Sequence, residues 1–207
     1  MSLLRLAAIV EGHGEIEAVP ILIRRIAREI EPGAVVTVKP VLRFAASRLM
    51  EPGELERQVE RAARKLGGNG AILILPDCDW DGGCPAHEGP TLLERARNAR
   101  RDMPMSVVLA KKEYESWFIA AAESLRGKRG LAHNLVGVGN PEDIRGGKEW
   151  LSSHMPFDQP YAETTDQPAL TAIFDMQSAR RADSFDKCYR EIAALLAALK
   201  RDGPADA

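Results

Sequence analysis

Apolar residues along this chain fall into two kinds of run, and their alternation sets the fold class. Leu3–Val10 is almost continuously apolar, the pattern of a strand buried on both faces. Val35–Leu42, Ala71–Leu75 and Ser106–Ala110 repeat that pattern. Between these runs the apolar positions take up a helical period. Pro20 is expected to open a helix whose Leu22, Ile23, Ile26 and Ile30 face a core while Arg24, Arg25 and Arg28 face away. Glu54–Leu66 reads as a charged amphipathic helix stopped by Gly67-Gly68, and Thr91–Arg101 and Glu113–Leu125 as two more. Strand and helix in alternation predict a mostly parallel, Rossmann-like α/β sheet with helices on both faces.

The pattern breaks after Leu125. Arg126–Gln159 is rich in Gly and Pro with little periodicity, and predicts a mobile, partly exposed, loop-rich insertion. Helical periodicity returns over Gln167–Phe174 and more strongly over Phe185–Leu199, leaving Asp202–Ala207 as a frayed tail. The expected organisation is one domain. Its α/β core is 1–125, and 126–207 adds the insertion and a closing helix.

Composition alters this picture little. At 207 residues, 45% hydrophobic, the chain can bury a real core. The net charge of −2 hides clustered arginines, so it neither excludes nor supports a polyanionic partner. Three cysteines fit a reducing compartment better than a disulfide framework. The first apolar run is interrupted by Arg5, unlike a signal peptide, and no stretch is long enough to span a membrane. The chain reads as cytoplasmic.

Candidate chemistry lies where α/β sheets place it, outside the carboxyl ends of the strands. Glu11 follows the first strand; Asp77, Asp79 and Asp81 follow the third. Alternation in an extended segment would send those three aspartates one way. Carboxylates converging beside Glu11 repel one another unless a cation sits among them, and hard oxygen donors suit Mg²⁺ or Mn²⁺. Asp and Gly after a strand are also ordinary turn residues. What outweighs that reading is the pairing of Glu-Gly-x-x-Glu after one apolar strand with Asp-x-Asp-x-x-Gly after another.

Other candidates are weaker. Cys78, Cys84 and His87 lack a zinc site's spacing and its fourth ligand. Gly12-His13-Gly14 before a helix suits a phosphate, but neither a P-loop lysine nor the third glycine of a dinucleotide fingerprint follows. His13 either contacts phosphate or steadies the turn. Trp117 and Phe118 read as core. Arg57, Arg61, Arg64 and Lys65 alternate with glutamates as a solvated, ion-paired face. Arg97, Arg100 and Arg101 have fewer acidic companions and follow the acidic loop. With Lys111 and Lys112 at a strand end, they are the expected nucleic-acid contacts.

Val10-Glu11-Gly12-His13-Gly14-Glu15 and Leu75-Pro76-Asp77-Cys78-Asp79-Trp80-Asp81-Gly82 resemble the motifs of the Toprim fold, shared by primases, topoisomerases and several nucleases. Lys111–Ala120, Asp166-Gln167 and Ser184-Phe185 resemble an uncharacterised bacterial branch of Toprim-like proteins. The resemblance implies that Glu11 is a general base or metal-bound carboxylate and that Asp77 and Asp79 are metal ligands. Glu15 would supplement them, as the matching position looks to do in overcoming-lysogenization-defect nucleases, with Asp81 in the same acidic set. Glu113 or Glu115 would complete a second metal site or be plain surface residues, since an i, i+2 pair on a helix cannot point one way. The implied activity is Mg²⁺- or Mn²⁺-dependent cleavage of DNA or RNA, in some relatives for anti-phage defence beside an ABC-type ATPase partner. Two alternatives stay open: a non-catalytic binding or effector module, and a nucleotidyl- or phosphoryl-transfer enzyme.

Overall fold

The four apolar runs become strands in the computed structural model, which describes residues 3–201. In chain order the elements are β1 (Leu3–Val10), α1 (Glu15–Ile30), β2 (Val35–Arg43), α2 (Ala46–Leu49), α3 (Glu54–Leu66), β3 (Ala71–Leu75) and β4 (Asp77–Cys78). There follow α4 (Pro85–Ala99), β5 (Met105–Val107), β6 (Ala110–Lys111) and α5 (Ser116–Ala120). Then come α6 (Gly147–Ser153), α7 (Glu163–Thr171), α8 (Met176–Ala179) and α9 (Asp183–Arg201), with 3₁₀ turns at Ala122–Leu125 and Pro141–Asp143.

The sheet is parallel throughout, in the order β2-β1-β3-β5. The short pair β4-β6 prolongs β3 and β5 beyond Pro76, whose ring nitrogen cannot join the ladder. The chain leaves β1 in one direction, through α1 to β2, and returns through α3 to β3 on the other side of β1. Right-handed crossovers in opposite directions put α1 and α3 on opposite faces. Side-chain alternation in β1 matches this arrangement. Leu4, Leu6, Ala8 and Val10 pack with α1 and α9, while Ala7 and Ile9 pack with α3 and α4. The result is a Rossmann-like α/β fold whose switch point lies between β1 and β3.

Several boundaries differ from expectation for local reasons. Helix α1 begins at Glu15, not Pro20, and Glu17 in its first turn favours the helix N-terminus. The buried Pro20 then costs one internal hydrogen bond. Likewise α4 opens at Pro85, where a proline suits the first turn, six residues before the expected Thr91. Arg25 does not face solvent; it donates to the Thr171 and Phe174 carbonyls at 2.7 Å each, tying α1 to the C-terminal part. Only α3 ends as read, with Gly67 in the left-handed conformation (φ 71°) that a residue with a Cβ rarely adopts.

The stretch Arg126–Gln159 is not loop alone. It contains α6, and Leu131, Leu135 and Leu151 enter the main core. Met155 packs against that core, whereas Phe157 is wholly exposed. The Asp202–Ala207 tail lies outside the described residues. Among those that are described, no helix is long and apolar enough to cross a membrane.

Candidate functional site

The switch point brings the ends of β1 and β3 side by side, with Val10 in register with Leu75. Glu11 and Asp77 therefore emerge at the same carboxyl edge. Glu11 spans the crevice, its Oε1 accepting the Ala46 amide at 3.1 Å and its Oε2 the Asp77 amide at 3.2 Å. Burial raises its pKa, with the nearby Asp79 charge adding to the effect.

Glu15, on the first turn of α1, points back into the same crevice, and its Oε2 accepts the Glu11 amide at 3.0 Å. It is 2% exposed, and burial followed by the charge of Glu115 lifts its pKa to about 8. Asp77 accepts the Tyr114 amide on Oδ1 at 3.1 Å. The residue is half-buried but its carboxylate is closely enclosed. Burial, then the charges of Glu15, Glu115 and Glu11, raise its pKa well above the ordinary value. Burial and mutual charge together favour the protonated form of these crowded carboxyl groups.

Close approach of backbone requires Gly14 in the first turn, whereas Gly12 faces only carboxylate side-chain ends. A Cβ on Gly12 would lie 2.7 Å from Glu163 Oε1, and one on Gly14 would collide with Gln167 and sit 2.5 Å from the Glu163 carbonyl. Glu163 Oε1 accepts the Gly14 amide at 3.0 Å, and Glu163 Oε2 accepts from Lys148 Nζ at 2.8 Å. Burial works against the Lys148 ammonium. Its bond to Glu163 and the charges of Glu115 and Asp77 nevertheless raise its pKa above the usual lysine value. Lys148 is thus the cation facing the acidic crevice.

Glu115 is 1% exposed. Its Oε1 accepts from Tyr161 Oη at 2.9 Å and from Gln167 Nε2 at 3.2 Å, while its Oε2 has no partner among the described residues. Burial pushes its pKa to about 7 despite the opposing Lys148 charge. Glu113 points elsewhere, as an i, i+2 pair must; its Oε2 accepts the Gly147 amide at 2.7 Å. The Glu113–Glu115 turn follows Lys112, which takes a left-handed φ of 70°.

The structure separates other expected residues from this centre. Asp81 does not converge with Asp77. The strand ends at Cys78 and the chain turns through Trp80–Gly83, so Asp81 is exposed and receives Arg145 Nη2 at 2.8 Å. Asp79 is exposed at the rim. Arg97, Arg100 and Arg101 lie at the far end of α4, which runs back towards the start of β5 and hence to the amino edge of the sheet. Arg100 is paired there with Glu60 at 3.1 Å and Asp102 at 2.7 Å. Lys111 and Lys112 are at the carboxyl edge, Lys111 lying 3.8 Å from Asp143. His13 is exposed on the turn. Trp117 and Phe118 are fully buried core residues.

Lys148, Tyr161, Glu163 and Gln167 were not legible as site residues, because each reaches the crevice from a segment that reads as irregular or as plain helix. The one signal was the likeness of Asp166-Gln167 to a branch motif.

The donor set is all oxygen, with one buried carboxylate oxygen unpartnered, which suits a hard divalent cation and not zinc. As the side chains stand, no group of three His, Cys, Asp or Glu among the described residues is arranged to hold a metal. Glu11 would have to release a backbone amide, and Asp79 to turn inward, to complete one.

Among known proteins, the family described as Domain of unknown function (DUF4276) matches over residues 10–193, which spans every site residue named above. No curated protein and no solved structure matches.

Proposed function

We propose that this chain, which belongs to the DUF4276 family, is a divalent-metal-dependent phosphodiester hydrolase acting on nucleic acid. The observation that carries the reading is the crowding of Glu11, Glu15 and Asp77 at the switch point, with pKa values raised by burial and mutual charge. Buried like charges are costly, and perturbed carboxylates in a crevice are a mark of functional sites. The likeness to Toprim motifs points the same way.

In this reading Glu11, Asp77 and Asp79 would hold Mg²⁺ or Mn²⁺, with Glu15 behind them. A cation so held polarises a phosphoryl oxygen and lowers the pKa of water. The remaining work belongs to the chain. Glu11, partly buried with a raised pKa, takes a proton from water as the water oxygen bonds to phosphorus, and returns that proton to the leaving alkoxide as the P–O ester bond breaks. Lys148, kept protonated, offsets negative charge growing on the phosphoryl oxygens. Tyr161 and Gln167 fix Glu115 so that its free oxygen stays in the crevice. An ATPase partner docking on this chain is part of the same proposal.

A second reading rests on one specific observation. Both oxygens of Glu11 are engaged by backbone amides, as a structural bridge would be, which favours a non-catalytic module. Incubating the pure protein with end-labelled DNA and RNA in Mg²⁺, Mn²⁺ or EDTA separates the two. Cleavage that EDTA abolishes supports the hydrolase. Intact substrate in every lane supports the module.

A further inference from the structure

We propose that the chain takes single-stranded polynucleotide across the carboxyl edge of the sheet and seats one unstacked base in a cavity on the α4 side of the β4-β6 pair. The inference rests on the nucleic-acid reading above and deepens it. The cavity holds about 380 Å³ between the start of α4, β6 and the start of α9. Pro85, Ala86, Pro90 and Leu109 give it an apolar wall, with Lys111, 3.8 Å from Asp143, and Lys187, paired with Glu191 at 3.1 Å, at its border. Lys111 is paired across the β4-β6 ladder with Cys78, the residue between Asp77 and Asp79. Cys78 and Leu109 pack in the cluster of α3 and α4 while Ala110, the partner of Asp77, packs in the other, so the cavity lies on the α4 side of the β4-β6 pair, across it from Asp77.

Cations also stand along the carboxyl edge. Arg145 reaches the rim at Asp81, Lys112 bonds its amide to the Cys78 carbonyl at 3.2 Å, and Lys111 follows into the cavity. Lys112 holds a left-handed φ of 70°, a strained conformation for a residue with a Cβ, and forms no ion pair among the described residues. Its ammonium is thus available to a phosphate. Arg145 and Asp81 are both largely exposed, and such a pair is weak enough for a phosphate to displace the carboxylate.

Bases in a duplex stay stacked and cannot enter such a recess without being extruded, whereas single strands present theirs freely. The carboxylates of Asp183 and Glu142 also border the cavity. Glu142 Oε1 accepts the Ser184 amide at 2.8 Å, and Asp183 stands as an acceptor for a base N–H. A purely anionic ligand would not be offered a carboxylate; a nucleotide, with amino groups on its base and negative charge on its phosphate, uses both.

Cys84 provides the probe, because it lines the cavity and is half-buried, whereas Cys78 and Cys188 are buried. Alkylation of the wild-type thiol by a maleimide is followed in EDTA, without ligand and with saturating single-stranded DNA, single-stranded RNA or the matching duplex. Anisotropy with the same labelled strands gives affinities. The expected result is that single strands bind at least tenfold more tightly than the duplex and slow Cys84 alkylation about tenfold, while the duplex does not. The DNA and RNA arms show which sugar is preferred. Ala86→Trp, which fills the cavity from an exposed position, abolishes the single-strand preference. Duplex binding equal to single-strand binding, or unchanged Cys84 alkylation under saturating single strand, overturns the proposal. Because these readouts need no cleavage, they stand apart from the hydrolase reading, which fails instead if metal-supplied protein leaves every substrate intact.

Discussion

The backbone amide of Asp77 donates to Glu11 Oε2 at 3.2 Å, joining residues 66 positions apart. That single bond records the topology. Only because β3 returns beside β1 do the residues following each strand meet, and only there does a parallel sheet leave a crevice. It also gives Glu11 a structural task that Asp79 does not share.

Glu11→Ala is therefore expected to destabilise the metal-free protein by ~1–3 kcal/mol, since two amides lose their acceptor. Relief of carboxylate repulsion will recover part of that. Asp79→Ala, at an exposed position, should move stability by less than ~0.5 kcal/mol. Denaturant melts of both variants in EDTA check the contrast.

Glu15 makes folding pH-dependent. Its folded pKa is about 8 against an ordinary 4.5, so the native state binds its proton more tightly than the unfolded chain. The associated stability is complete below pH ~4.5 and is lost as pH rises towards 8. In EDTA the wild type should lose melting temperature over that window. Glu15→Gln, which keeps an acceptor for the Glu11 amide, should show a flatter profile and melt higher than wild type at pH 8.5.

Gly14→Ala is expected to cost ~2 kcal/mol or more, because the new methyl meets the Glu163 backbone and Gln167 at once. Gly33→Ala provides the control. No atom lies within 4 Å of its added Cβ, so its effect should stay within ~0.5 kcal/mol. Equal melts for the two variants would contradict the packing described for the first turn.

Arg97→Ala with Arg101→Ala should leave nucleic-acid affinity and its salt dependence unchanged, since both residues sit at the amino edge of the sheet. Lys111→Ala with Lys112→Ala should weaken binding and flatten the dependence on log salt by about one per lysine. Anisotropy titrations over a range of salt concentrations distinguish the two pairs.

The strands and α3 were readable because their signals are local: unbroken apolar runs in Leu3–Val10 and Ala71–Leu75, and a glycine stop at Gly67. Pro20 is a poor marker of the α1 start because it sits inside a helix that already runs from Glu15. At the site, Glu11 and Asp77 were legible because each stands beside a strand end, and Glu15 through the resemblance carried by Glu11–Glu15. The direction of Asp81 was not, since period-two alternation fails once the strand stops at Cys78. Lys148 and Glu163 were invisible for a different reason. Their meaning comes from the tertiary return of α6 and α7 over Gly14, and no local pattern encodes it.

The central claim is that the crowded carboxylates are a cation site. Calorimetric titration of the metal-free protein with Mn²⁺ at pH 7, in two buffers of different ionisation enthalpy, tests it most directly. The account predicts saturable binding with release of protons, since raised-pKa carboxyls must ionise to bind metal, and loss of that binding in Asp77→Asn at unchanged fold. Absence of binding heat in both buffers, or binding that Asp77→Asn leaves intact, would contradict it.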